Sequence, residues 1–127
     1  MKGGHAMRQE SLDPETSFED QLAADTGPVV VVTTFLVPEG RMDEVVESWQ
    51  RDGDVMKGAP GYISAQLHRG VGASNLLMNV AVWESTAALA AAFADPAFQG
   101  EGRRYPAGVR VLPHVYRKVA VPGVCVA

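Results

Sequence analysis

The sequence predicts an α+β domain in which a four-stranded antiparallel sheet carries two helices on one face. Three observations lead there. Strand-like and helix-like stretches follow one another in the order β-α-β-β-α-β between Val29 and Val121. The second and third strand candidates are joined by a short Gly/Ser/Asn loop, the spacing of a hairpin. Both helix candidates lie between strands and end at a breaker, Gly58-Ala59-Pro60-Gly61 for one and Asp95-Pro96 for the other. That order is the split βαβ, or ferredoxin-like, arrangement.

Each element has a local reason. Residues 1–27 mix Gly3, Gly4, Asp13, Pro14 and Gly27 with few large apolar side chains, the composition of an acidic, largely flexible tail. Its exception is Ser17-Phe18-Glu19-Asp20, a capping-box-like start for a short helix through residues 22–24. Val29–Val37 is β-branched and continuous and reads as a central strand buried on both faces. Pro38-Glu39-Gly40 turns the chain. From Arg41 to Met56, apolar Met42, Val45, Val46, Trp49 and Met56 recur at helical spacing. Gly53 costs this helix about 1 kcal/mol relative to Ala, so fraying is expected in its last turns.

Tyr62–Arg69 is the second strand, and period-two alternation puts Tyr62, Ser64, Gln66 and His68 on one face. The loop Gly70–Asn75 leads to the third strand, Leu76–Trp83. Ser85 is a good N-cap for the alanine-rich helix Thr86–Ala94, and Asp95-Pro96 ends it and starts a further short turn. Gln99–Gly108 is a Gly/Arg loop, and Val109–Val121 is a last, long strand in which Pro113 implies an edge or a bulge. The expected organisation is a tail at 1–27, one domain over 28–122 and a C-terminal tail at 123–127.

Charge and composition exclude several functions. The chain has 127 residues, 46% hydrophobic, with net charge −4, a length that suits one domain. Six acids against Lys2 and Arg8 place the whole imbalance in residues 1–28, leaving nine acids and nine bases beyond them. An electroneutral body without a basic stripe argues against a nucleic-acid partner. The valine run Val29 to Val32 is strand-sized, and no apolar run approaches the roughly 20 residues needed to span a bilayer, so no membrane partner is expected. No positively charged leader opens the chain, and the single cysteine, Cys125, has no intramolecular partner; a cytoplasmic location is expected.

The third strand is apolar on both sides, with Leu76, Met78, Val80 and Val82 on one and Leu77, Ala81 and Trp83 on the other. Helices cover only one face of the sheet. The other needs a partner, because a large apolar patch rarely stays wet, and face-to-face packing of two sheets predicts a two-fold homodimer. Asn79 is the one polar residue of that strand and shares the face of Leu77, Ala81 and Trp83, under the helices. A buried amide must bond something: either neighbouring backbone or a ligand in a pocket between sheet and helices. Trp83 by itself reads as a core residue rather than a substrate clamp.

Ala59-Pro60-Gly61-Tyr62 entering the second strand, then Asn79-Val80-Ala81-Val82-Trp83-Glu84-Ser85, then Phe93 and Asp95-Pro96-Ala97-Phe98, resemble the antibiotic biosynthesis monooxygenase family over about Val29–Val121. The Asn-x-x-x-Trp element followed by Asp-Pro-x-Phe looks most like the anthrone-type oxygenases of aromatic polyketide tailoring. The resemblance implies a dimeric α+β barrel that needs no cofactor, whether metal, flavin or haem. It implies a catalytic set of Asn79, Trp83 and an arginine at Arg103 or its neighbour Arg104; Trp49, Tyr62, Phe93, Arg104 and Tyr105 are the accompanying substrate-binding candidates of this sequence. The sequence departs from the pattern at Leu89, where the anthrone-type enzymes carry a tyrosine. It also has Phe93 where the haem-degrading relatives carry an iron-ligating histidine, which argues against haem degradation.

The remaining polar residues are less informative. His5, His68 and His114 show no metal-ligand spacing with one another or with carboxylates. His68 and His114 read as surface or interface residues, Ser64 and Ser74 lack a nucleophile-elbow context, and Ser85 is explained by capping. The function expected is a cofactor-independent monooxygenase that oxidises a small aromatic substrate, anthrone-like, polyketide-like or quinol, with O2. The rivals are a polyketide cyclase or isomerase on the same scaffold and a non-catalytic dimeric barrel that binds a small hydrophobic metabolite.

Overall fold

The computed structural model describes residues 8–99 and 105–127. In chain order they form β1 (Arg8–Gln9), α1 (Phe18–Leu22), β2 (Val29–Leu36), α2 (Met42–Met56), β3 (Tyr62–Arg69), β4 (Leu76–Trp83), α3 (Thr86–Ala94), α4 (Pro96–Gln99) and β5 (Arg110–Tyr116). The sheet order is β1-β5-β2-β4-β3. The four strands from β2 to β5 pair antiparallel and make the expected ferredoxin-like sheet. The short β1 adds a parallel fifth strand on the edge of β5.

Local signals act where expected. Ser17 caps α1 by accepting from the backbone N–H of Asp20, and Ser85 caps α3 by accepting from that of Ala88. The helix α2 runs unbroken through Gly53 to Met56, its apolar stripe held against the sheet by Met42 and Val45. Pro113 lies beyond the reach of β1, so its missing N–H leaves no gap in the ladder.

Three expectations are revised. The last strand ends at Tyr116, and residues 117–127 continue into a turn closed by a bridge between Val121 and Cys125. The strand β2 is central, but only one face is deeply covered: Val29, Val31 and Phe35 are buried, whereas Val30, Val32, Thr34 and Leu36 are half-buried on the face without helices. The segment from Arg8 to Gly27 is built into the domain. Phe18 is 3% exposed and packs edge-on against Phe93. The Gln21 carboxamide donates to the Val115 carbonyl at 2.9 Å and accepts from the Val115 N–H at 2.8 Å, pairing with the β5 edge as a strand would. Arg110 donates twice to the Glu10 carboxylate, at 2.7 and 2.9 Å, and these bonds hold that carboxyl below the usual glutamate range. Thr86 ties α3 to the same segment through the carbonyl of Ala24.

Candidate active site

The helix-covered face of the sheet holds two hydrophobic clusters. One gathers Val29, Val31, Ala81, Trp83 and Val115 under Phe18, Leu89 and Ala92. The other gathers Phe35, Leu77 and Val111 under Met42, Val45 and Tyr105. Between them runs the row in which Pro113 pairs with Thr33, Thr33 with Asn79 and Asn79 with Leu67; its Pro113, Thr33 and Asn79 belong to neither cluster. The clusters part there because two polar side chains interrupt the apolar face. A cavity of about 270 Å³ opens over this row.

The cavity has a polarity along the strands. Successive rows of one face are two residues, about 7 Å, apart, so Trp83 lies about 13 Å from Asn79 along β4. The Trp83 end is aromatic: Tyr62 meets the indole edge-on with ring centroids 5.5 Å apart, and Phe93 and Leu89 line the same wall. Toward the other end stand Asn79, Thr33 and Tyr105, with Asp52 reaching in from α2. The Tyr105 ring stacks on Phe35 at 5.7 Å and its hydroxyl donates to Asp52 Oδ2 at 3.0 Å.

Asn79 Oδ1 is buried and has no hydrogen-bond partner among the described residues. An amide oxygen in that state costs about 1–3 kcal/mol relative to a satisfied one, unless a bound molecule supplies the donor. Among the described residues no backbone group satisfies that oxygen.

Tyr62 reaches the cavity through an irregularity. Simple alternation puts it on the face of Ser64, Gln66 and His68, which lies away from the helices. A β-bulge between Tyr62 and Ser64 breaks the register, so that Tyr62 pairs with Trp83 while Ser64 pairs with Val82. The extra residue, Ile63, is 52% exposed, and Tyr62 is turned inward. Gly61 makes the approach possible: its φ of +88° favours glycine, and a Cβ there would lie 2.4 Å from that of Ala88.

Of the sequence-derived site residues, Asn79, Trp83, Trp49, Tyr62, Phe93 and Tyr105 line this single cavity. Arg103 and Arg104 lie outside the described residues. Sequence reading missed Thr33 and Asp52. Asp52 was detectable, since Trp49, Asp52 and Met56 follow at helical spacing and so share one stripe of α2. Thr33 stands in a run of valines where no local pattern marks it. Among the described residues no group of three or more His, Cys, Asp or Glu side chains is arranged to hold a metal ion, and no helix is long and apolar enough to cross a membrane.

The model of the antibiotic biosynthesis monooxygenase family matches residues 28–100, more than half of the chain. The chain belongs to the antibiotic biosynthesis monooxygenase family. Among solved structures, a proposed monooxygenase from Shewanella loihica PV-4 is 31% identical, with a TM-score of 0.64 over 78% of this chain and 100% of its own. SnoaB, a cofactor-independent oxygenase from Streptomyces nogalater, is 22% identical, with a TM-score of 0.67 over 77% of this chain and 99% of its own. A proposed antibiotic biosynthesis monooxygenase from Bordetella bronchiseptica is 21% identical, with a TM-score of 0.64 over 75% and 100%. No curated protein matches significantly. The matched span contains Asn79 and Trp83 and all of the cavity's helical wall from Trp49 to Phe98.

Proposed function

We propose that the protein is a cofactor-independent monooxygenase that oxidises a small electron-rich aromatic, an anthrone-like or quinol compound, with O2. The observation that carries this reading is the buried Asn79 oxygen, without a partner among the described residues, in a largely apolar and aromatic cavity. Such a cavity takes a flat apolar ligand and orients it through very few polar groups. Asn79 accepts from a substrate hydroxyl, or donates to a carbonyl or peroxy oxygen when the amide is turned over. Trp83, Tyr62 and Phe93 hold the rings and exclude water.

The reaction asks little more of the protein than orientation, stabilisation of an anion and dryness. A deprotonated anthrone is delocalised enough to give one electron to O2. The radical pair forms a C–O bond, protonation gives a hydroperoxide, and loss of the second C–H proton with O–O cleavage leaves a carbonyl and one molecule of water. A two-fold homodimer, joined through the aliphatic outer face of the sheet, is the working assembly of this reading. Arg103 or Arg104, as the family resemblance implies, would favour the phenolate by opposite charge.

The test is O2 uptake with anthrone or a reduced quinol in protein freed of metal and flavin. Asn79→Ala is expected to lower turnover about 100-fold, the order seen when one hydrogen bond to a developing oxyanion is removed, and Trp83→Phe to lower it less. Turnover unchanged in both variants overturns the site. Conversion of the substrate without O2 uptake replaces the oxygenase reading with a cyclase or isomerase.

A further inference from the structure

Oxidation of an anthrone or quinol begins with loss of a proton, and Asn79 and Trp83 supply no base. We propose that Tyr105 is the residue that takes the substrate proton and that Asp52, behind it, stores it. The pair depends on the oxygenase reading only for the steps after deprotonation.

The geometry points to the pair. Tyr105 is 9% exposed, and its stacking on Phe35 fixes where the hydroxyl sits. Phe35 is two residues along β2 from Thr33, so the stacked ring stands one row from the Thr33–Asn79 pair, about 7 Å along the sheet. The hydroxyl donates its proton to Asp52 Oδ2 at 3.0 Å, and a phenolic oxygen that donates can also accept from a donor in the cavity, which both residues line. A flat ligand with one oxygen at Asn79 therefore lies one strand row from the Tyr105 ring, in the cavity that Tyr105 and Asp52 both line.

Protons balance along this path. The substrate O–H, or a C–H beside its carbonyl, breaks as a new Tyr105 O–H forms. The original Tyr105 O–H breaks as the Asp52 carboxylate becomes an acid, so one negative charge moves from Asp52 to the substrate and no electron is transferred. After O2 has added, the proton returns by the same route to the peroxy oxygen.

Proton abstraction can be read without oxygen. Wild-type protein incubated anaerobically with anthrone in D2O is expected to exchange deuterium into the acidic methylene faster than buffer does, followed by NMR. Tyr105→Phe, which keeps the ring on Phe35, and Asp52→Asn are each expected to slow exchange at least about 100-fold, the scale of general-base catalysis. Anthrone binding, followed by quenching of Trp49 and Trp83 fluorescence, should stay within about threefold of wild type, whereas loss of a merely structural bond would lower rate and binding together. Exchange that is no faster than in buffer with wild type, exchange undiminished in either variant, or exchange lost only in proportion to binding overturns the proposal. Exchange that depends on both residues, in a protein that consumes no O2, upholds the relay and defeats the oxygenase reading instead.

Discussion

Asn79 illustrates how much one side chain can report. Its place on the helix-covered face follows from the alternation of β4, which needs only the next few residues. That no described residue bonds its Oδ1 depends on what the sheet sets beside it, Thr33 on one side and Leu67 on the other. Gly61 is a second position where one residue controls the site. Its positive φ and its approach to Ala88 leave no room for a methyl group. Gly61→Ala is expected to cost more than about 1 kcal/mol of stability, measurable by urea unfolding, and to weaken ligand binding by disturbing Tyr62. Equal stability of variant and wild type would show that the β3 entry relaxes freely.

At the scale of elements, caps and periodicity were legible in the middle of the chain: α3 and both strands of the hairpin have the limits the sequence predicts. The bulge was not. A register shift is settled by which neighbours the strand meets, here Trp83 and α3, and Tyr62 carries no sign of it in its own segment. The leading segment is a similar case. Composition argues for a free tail because few large apolar residues, Phe18 among them, stand among acids and glycines. Phe18 nevertheless finds a buried site between α3 and the sheet, and Gln21 pairs with the open edge of β5. Phe18→Ala is expected to lower stability by about 3–5 kcal/mol, read from the denaturation midpoint. A loss below about 1 kcal/mol would mean that α1 adds no more than a surface element.

For the whole molecule, the outer face of the sheet is the unsettled balance of apolar surface. Leu76 is 44% exposed, Met78 37% and Tyr116 41%, and no helix covers them. A two-fold homodimer would bury this face. Sedimentation equilibrium is expected to give twice the 13.5 kDa chain mass, and Met78→Lys to shift it to one chain with the cavity on the opposite face intact. A monomeric wild type at micromolar concentration contradicts the dimer.

By itself the sequence determined what short-range physics controls: the strands by alternation and β-branching, the helix starts by Ser17 and Ser85, the breaks by glycine and proline, and the face on which Asn79 and Trp83 stand. Only the tertiary structure decided that the two hydrophobic clusters part at Thr33 and Asn79 to leave a cavity, that Tyr62 turns into it, that Asp52 meets Tyr105 there, and that Phe18 closes the core behind Phe93. Each of these depends on contacts between residues far apart in the chain. Local propensity cannot encode such contacts, because their free energy appears only when the sheet has assembled.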